Sequence, residues 1–432
     1  MENSEVLVKD EYKTSRTLYV IEAALEYFIS ILVGGAYLAK VSTSIGVSDA
    51  VTGILSAFVS LGLSFQMVAI FLAKYQPVKK WVTILHTLNQ LAFALVYVVP
   101  FFEISKTAKT VLFIIFLLLG HSVNNVVNSP KINWFMTLID DKKRGTFTAN
   151  KEIVSLIGGM IFTFIVGQIM DACEAAGNIK AAFVFCGVGI FVLMLLHTAT
   201  LIFSKEKPVE EKEKTPTKQM LSGLIRDKNL WKVVMVSVLW NVSHYVATPF
   251  YGTYQINELG FSMTFISLLS AGYSILRATC SRPMGKIADK TSFAKMLNIC
   301  FIVAMVGFAI NTFTTPANGK ILYTAYYLCY AVAMAGINSG SINLIYDYVD
   351  KENRMGAFAF KSAIAGVAGF LTTRACSPLV AYIQANGNTF LGLHVYAQQV
   401  TSAFAVLLIG VLLIYLNTVV RSLTRVKMEK HD

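Results

Sequence analysis

The sequence predicts an all-α membrane protein in which twelve transmembrane helices form two pseudo-symmetric six-helix bundles. Three observations carry that expectation. Of the 432 residues, 55% are hydrophobic and only 14% charged, with a mean hydropathy of +0.59. A soluble domain carries about 25% charged residues and needs them to cover its surface. Twelve stretches approach the roughly 20 apolar residues that a bilayer span requires, and the second half of the chain repeats the first.

The predicted spans lie near 17–39, 50–73, 81–101, 111–134, 150–170 and 181–203, then near 231–253, 262–284, 295–313, 321–346, 357–384 and 399–420. The turn into helix 2 reads "GVSDAVTGILSA" from Gly46, and the turn into helix 8 reads "GFSMTFISLLSA" from Gly260. Gly46, Ser48, Leu55, Ser56 and Ala57 match Gly260, Ser262, Leu269, Ser270 and Ala271 at an offset of 214. Helix 4 ends through "NSPKIN" (Asn128 to Asn133), which returns in helix 10 as "NSGSIN" (Asn338 to Asn343) at an offset of 210. Carried on without gaps to Gly159, that alignment keeps nine of thirty-two positions identical. Two matches so far apart mean that the repeat covers the whole half. The expected organisation is an N-terminal bundle over 1–203, a linker over 204–229 that is charged and carries two prolines, and a C-terminal bundle over 230–432.

Basic residues orient the spans. With the N-terminus inside, 29 of the 37 Lys and Arg fall on the cytoplasmic side, and five (Lys40, Lys106, Lys109, Lys180, Lys320) fall in outer loops. Three, Lys131, Arg277 and Arg374, lie within helices. Both termini and the linker are therefore expected in the cytoplasm, with a bacterial cytoplasmic membrane as the host. The net charge of +12 reads as basic loops and not as a nucleic-acid surface. Six scattered cysteines with no CxxC and no zinc spacing read as small apolar filler, so no metal or other cofactor is expected. The polar start, Met1 to Arg16, leads into an apolar stretch too long for a cleavable signal. No HExxH, GxSxG or dinucleotide glycine pattern stands in a suitable context, and "GKIADKTS" lacks the ending of a phosphate loop. Nothing here suggests an enzyme.

After helix 8 comes "RPMGKIADKTSFAK", with Gly285, Asp289 and Lys290; the corresponding "FLAKYQPVKK" after helix 2 keeps Lys74, Lys79 and Lys80 but has no acid. Twelve helices in two parallel repeats, a charged linker and this Gly-x-x-x-Asp-Lys sequence resemble the major facilitator superfamily, with one of its two such loops intact. The resemblance implies a cytoplasmic latch between the halves. Gly285 would allow a tight turn and close helix approach, and Asp289 would sit by the N-terminus of helix 5 or a base there such as Lys151. The repeated Arg144 and Arg354 are expected to pair with acids or cap helix ends, as structural or gating residues.

The resemblance further implies that helices 1, 4, 7 and 10 line a central cavity. Ionisable groups inside a membrane are costly and face a cavity or a partner. Helix 1 carries Glu22 and Glu26 at i, i+4; helix 4 carries His121, Asn124, Asn125 and Asn128, mainly on one face. Helix 7 offers Asn241, His244, Thr248 and Tyr251, and helix 10 offers Tyr326, Tyr327, Tyr330 and Asn338. Arg277 on helix 8 and Arg374 on helix 11 add two deep cations, whereas His86 and His197 lie on helices that the resemblance places outside the cavity. These polar stripes point to a midplane site of a secondary active transporter. Its expected cargo is a small solute, with an anionic group for Arg277 or Arg374 to attract. Its expected driving ion is the proton, carried by Glu26 first, Glu22 second and His121 third. The same acids and arginines also fit a static brace between the halves. An efflux pump for amphipathic compounds, and a sensor that kept the fold without transport, are the competing functions. The expected partners are the solute, protons and membrane lipids, with no nucleic acid, and the protein is expected to act as a monomer.

Overall fold

The structure, a computed structural model, describes residues 11–72, 77–140, 143–208, 217–346 and 354–420. Twelve helical segments follow one another in it. They are α1 (Lys13–Leu32, continued by Gly35–Ser44 after a 42° bend), α2 (Asp49–Ala69), α3 (Lys79–Val96), α4 (Lys106–Met136), α5 (Arg144–Ala175) and α6 (Ile179–Phe203). Then come α7 (Lys228–Glu258, with irregular turns from Thr248 onward), α8 (Met263–Lys290), α9 (Phe293–Asn311), α10 (Gly319–Tyr346), α11 (Arg354–Ala385) and α12 (Ala397–Tyr415). Among the described residues nine of these are long and apolar enough to cross a membrane, and the bent α1 makes a tenth. The two that fall short are α3 and α8. Their polar load explains it: His86, Asn89 and Gln90 in α3, and Arg277, Arg282, Lys286, Asp289 and Lys290 in α8.

The repeated glycine–serine turns have one cause. Gly46 and Gly260 take φ of +76° and +62°, a backbone region that side chains with a Cβ rarely enter. Two residues later Ser48 accepts from the Val51 N–H at 3.4 Å and Ser262 from the Phe265 N–H at 3.1 Å. Each serine thereby satisfies an orphan donor in the first turn of α2 or α8. The same reversal and cap, used twice, keep the same letters twice.

Within the first six helices α1 packs on α5 and α6, and α3 on α4 and α6; within the last six α7 packs on α11 and α12, and α9 on α10 and α12. Across the middle, α5 meets α8 and α2 meets α11, two pairings that the repeat exchanges. Between the halves a helix, Thr217–Arg226, occupies part of the predicted linker, and the Trp231 indole N–H donates to its Ile225 carbonyl at 2.9 Å. A two-residue β-hairpin, Thr389–Phe390 with Leu393–His394, joins α11 to α12.

The face opposite the linker is closed. Asp49 at the start of α2 accepts from Asn257 of α7 and from Gln384 of α11, each at 2.8 Å. Asp171 near the end of α5 accepts from the first backbone N–H groups of α8, Met263 at 2.7 Å and Thr264 at 2.8 Å. An acid from one half thus caps a helix of the other, where the helix dipole favours a negative charge. We predict that Asp171→Ala loosens this face by about 1–2 kcal/mol, the scale of a lost N-cap. Distances between spin labels on α5 and α8 should then lengthen in a growing fraction of molecules, and an unchanged distance distribution would remove Asp171 from the closure. Gly252 reaches closer still. A Cβ there would stand 2.5 Å from the Gly35 carbonyl oxygen, against backbone that cannot yield. Gly252→Ala is therefore expected to disfavour closure of this face without harming either half alone, which the same distance measurement between α1 and α7 would check.

Of the latch expected at the linker end, Gly285, Asp289, Lys290 and Lys151 lie within the described residues. Helix α8 runs unbroken through Pro283 to Lys290, so Gly285, Asp289 and Lys290 ride its last turns and not a loop. Among the described residues nothing lies within 4 Å of where a Gly285 Cβ would be. Asp289 and Lys290 are exposed, and neither makes an ion pair among the described residues. Arg144 and Arg354 begin α5 and α11, but their side chains lie outside what the structure describes, as does Lys74. Lys151 places its ammonium 5.0 Å from the centre of the Tyr19 ring. At the start of α3, Glu206 accepts from the Val78 and Lys79 N–H groups at 2.8 and 2.9 Å, tying the chain after α6 to that helix.

Candidate functional site

Two acids four residues apart on α1 project in one direction, and a lysine from α4 meets them. The Lys131 ammonium donates to Glu22 Oε1 at 2.6 Å and to Glu26 Oε2. Its third proton points to His86 Nε2 of α3, 2.9 Å away. That geometry assigns the histidine tautomer. His86 Nε2 accepts, so Nδ1 carries the proton and donates to Asn89 Oδ1 at 3.0 Å. Asn89 in turn donates to Asn124 Oδ1 at 3.2 Å and to the Gly120 carbonyl at 3.4 Å. From α6, His197 Nε2 donates to Glu22 Oε1 at 2.8 Å, and its ring lies 4.4 Å from that of His86. Side chains from α1 and α3 therefore meet the α4 ammonium directly, and α6 joins the cluster through Glu22. With both histidines neutral, two carboxylates face one cation, and a negative charge remains in excess.

Burial differs sharply among the members. The side chains of Glu22 and Lys131 are each 1% exposed, whereas that of Glu26 is 23% exposed. Ions so deep persist only when paired and hydrogen-bonded. The carboxylates and imidazoles of Glu22, Glu26, His86 and His197 bring ligand atoms within 4.8 Å of one another. As a donor set this would suit a divalent transition metal. Lys131, however, already bonds three of these four residues, and its fixed positive charge opposes a second cation. The arrangement fits an ammonium, not a metal.

Glu26 and His86 open onto a cavity of about 450 Å³, with Asn124, Asn128, Glu152 and Arg277 also in its wall. Thr148 and Lys151, from the first two turns of α5, line it as well, so it runs from the middle of the protein toward the linker face. A second cavity of about 350 Å³ lies between α1, α5, α8 and α10 and shares Tyr27 and Ser30 with the first.

Several predicted residues sit elsewhere. Of the α4 stripe, Asn124 and Asn128 face the cavity. Asn125 instead accepts from Gln66 of α2 at 3.2 Å and donates to the His121 carbonyl, and His121 packs edge-on against Phe93 at 5.0 Å and lines neither cavity. On α7, Asn241 donates to the Ala365 carbonyl at 2.8 Å, and His244 stacks between Trp240 and Tyr330, bonding the Tyr330 hydroxyl and Thr248 at 3.1 Å each. Tyr251 bonds Ser402 at 2.6 Å inside an aromatic core with Tyr323, Tyr326 and Phe308, and Asn338 is exposed. Of Tyr326, Tyr327 and Tyr330 on α10, Tyr327 reaches the smaller of these two cavities and the others reach neither.

The alternative of an acid–arginine brace between the halves gives way, among the described residues, to the Lys131 cluster within the first six helices. Arg277 does reach the larger cavity, but it faces Glu152 at 4.0 Å, and Arg374 is exposed and lines neither cavity. Sequence reasoning missed His86, His197 and Asn89 and gave Lys131 no role. The signal for Lys131 was present: a lysine inside an apolar helix requires an acid at its depth, and Glu22 and Glu26 are the acids of the neighbouring helix.

The Major Facilitator Superfamily profile matches residues 20–373. The chain belongs to this superfamily. Solved structures agree on the fold. A mutant form of the nucleoside transporter NupG aligns with a TM-score of 0.71 at 14% identity, over 93% of this chain and 99% of that one. A D-xylose–proton symporter gives 0.64 at 14% identity over 92% and 96%, and the E. coli fucose:proton symporter FucP gives 0.59 at 14% identity over 96% and 98%. A search of curated proteins returns no significant match. The protein is thus a multi-pass integral membrane protein with the major facilitator fold, in which the Lys131 cluster stands beside the central cavities.

Proposed function

We propose that this superfamily member is a proton-coupled secondary active transporter that carries a small solute by alternating access. Residues 1–203 and 230–432 would rock as two bundles about the central cavities. The observation that carries the reading is the position of Glu26: part of a buried cluster with one excess negative charge, yet open to the cavity. A carboxylate so placed can take a proton from one aqueous phase and lose it to the other when the bundles exchange access. Two of the fold's neighbours bear the names of proton symporters, which supports the choice of ion. The basic loops favour termini and a linker in the cytoplasm, and with that orientation the cavity would face inward with the Asp49 and Asp171 contacts closing the outside. An anionic cargo has less support than the letters alone suggested, because Arg277 faces Glu152 and Arg374 lies outside both cavities.

The test is a solute screen in proteoliposomes under an imposed pH gradient. At least one small solute should accumulate when the gradient is present and equilibrate when an ionophore collapses it. Accumulation that ignores the proton gradient but follows sodium would overturn the choice of ion. Binding without any passage across the membrane would favour the sensor.

A further inference from the structure

From the chemistry of the smaller cavity we infer that it binds an uncharged, hydroxyl-rich ring solute, a sugar or a nucleoside in chemical class. The inference rests on the transporter reading for its purpose, but on the cavity wall alone for its chemistry. Among the described residues no Asp, Glu, Lys, Arg or His lines this cavity. Its volume of about 350 Å³ is within the roughly 300–1,000 Å³ usual for small-molecule sites.

The polar atoms in the wall have a consistent direction. Ser30 donates its hydroxyl proton to the Tyr27 carbonyl at 2.7 Å, and Thr163 donates to Gly159 at 2.7 Å. Ser270 donates to Ile266 at 3.0 Å, and Ser274 to Ser270 at 2.9 Å. Gln255 commits its amide N–H to the Tyr323 hydroxyl at 3.0 Å. In each of the four hydroxyls the proton is used inside the protein and the oxygen keeps lone pairs to accept, while Gln255 retains its second N–H beside its amide oxygen. A wall rich in acceptors selects a ligand rich in O–H and N–H donors. It disfavours a carboxylate or phosphate, which needs donors and would lose its hydration without replacement. Tyr27, Tyr273 and Tyr327 add flat faces, with the last two rings 5.2 Å apart, against which a sugar ring or a base can lie. Tyr27 and Ser30 also border the larger cavity, so a solute seated here would adjoin the one that Glu26 faces.

Purified protein in detergent can be titrated with glucose and uridine, with their phosphorylated forms glucose 6-phosphate and uridine monophosphate, and with the cation tetraphenylphosphonium. Binding is read by calorimetry. At least one uncharged probe should bind at least ten times more tightly than its phosphorylated form. Ser270→Ala should weaken that binding about 3- to 10-fold, the scale of one lost neutral hydrogen bond, and Tyr327→Ala should weaken it further. Tighter binding of the phosphorylated probes or of tetraphenylphosphonium, or no binding of either uncharged probe, would overturn the inference. So would uncharged binding that neither variant changes. The same probes in proteoliposomes separate the two readings. Accumulation of a phosphorylated probe keeps the transporter and removes this ligand class, whereas tight binding of uridine without transport keeps the ligand class and removes the transporter.

Discussion

Lys131→Met is expected to be the most damaging single substitution in the first six helices. It leaves Glu22, 1% exposed, and Glu26 facing each other with no cation between them. Breaking a buried ion pair from one side costs about 3–5 kcal/mol, because the remaining charge has neither water nor partner. The methionine fills most of the volume, so the loss reports charge and not a cavity. Protein in detergent should melt lower by on the order of 10 °C, and expression should fall with it. The paired change Lys131→Met with Glu22→Gln removes one charge of each sign and should recover much of the loss. His197 can still donate to a glutamine oxygen. If Lys131→Met melts with the wild type, the ammonium is not what holds these helices, and the contacts drawn around it do not describe the folded protein.

The same cluster shows what the sequence made legible and what it hid. The repeated turns into α2 and α8 and most of the spans could be read from letters, because each depends on local chemistry. A positive φ wants glycine, an orphan N–H wants serine, and a bilayer wants about 20 apolar residues. That Glu22 and Glu26 share one face of α1 was legible too, and both meet Lys131. Their partner was not, because pairing depends on which face of α4 turns toward α1, and that face is set by packing. His86 and His197 were set aside as residues of outer helices, yet their rings point inward, which only the helix rotation decides. Asn125 erred the other way. One position from Asn124 on the helix, it turns to Gln66 of α2 instead of the cavity. The Gly285 to Lys290 sequence matched its family pattern in letters, but here it continues a helix.

Glu26→Gln is expected to abolish accumulation while leaving exchange intact, and it separates a coupling residue from a brace. The introduced amide would resemble the neutral, proton-loaded carboxyl in shape, and its oxygen can still accept from the Lys131 ammonium. The cluster would then hold one carboxylate and one cation, the charge balance it has when a proton is bound. If the return step of an empty transporter requires that proton to leave, the variant cannot complete the cycle. Substrate-for-substrate exchange, which never needs the empty return, should continue within a few-fold of wild type. Uphill accumulation under a pH gradient should fall to roughly the level of equilibration. A brace behaves differently, because its loss is structural: the variant would melt lower, and exchange and accumulation would fall together. Glu22→Gln supplies the contrast. Glu22 is buried against Lys131 and His197 and lines neither cavity, so its replacement should lower the melting temperature more than it alters the ratio of accumulation to exchange. A stable Glu26→Gln protein that still concentrates its solute against a gradient would take the proton away from Glu26. The histidines would then be the groups to test, starting with His86, because it lines the cavity and its Nε2 already lies 3.5 Å from Glu26 Oε1.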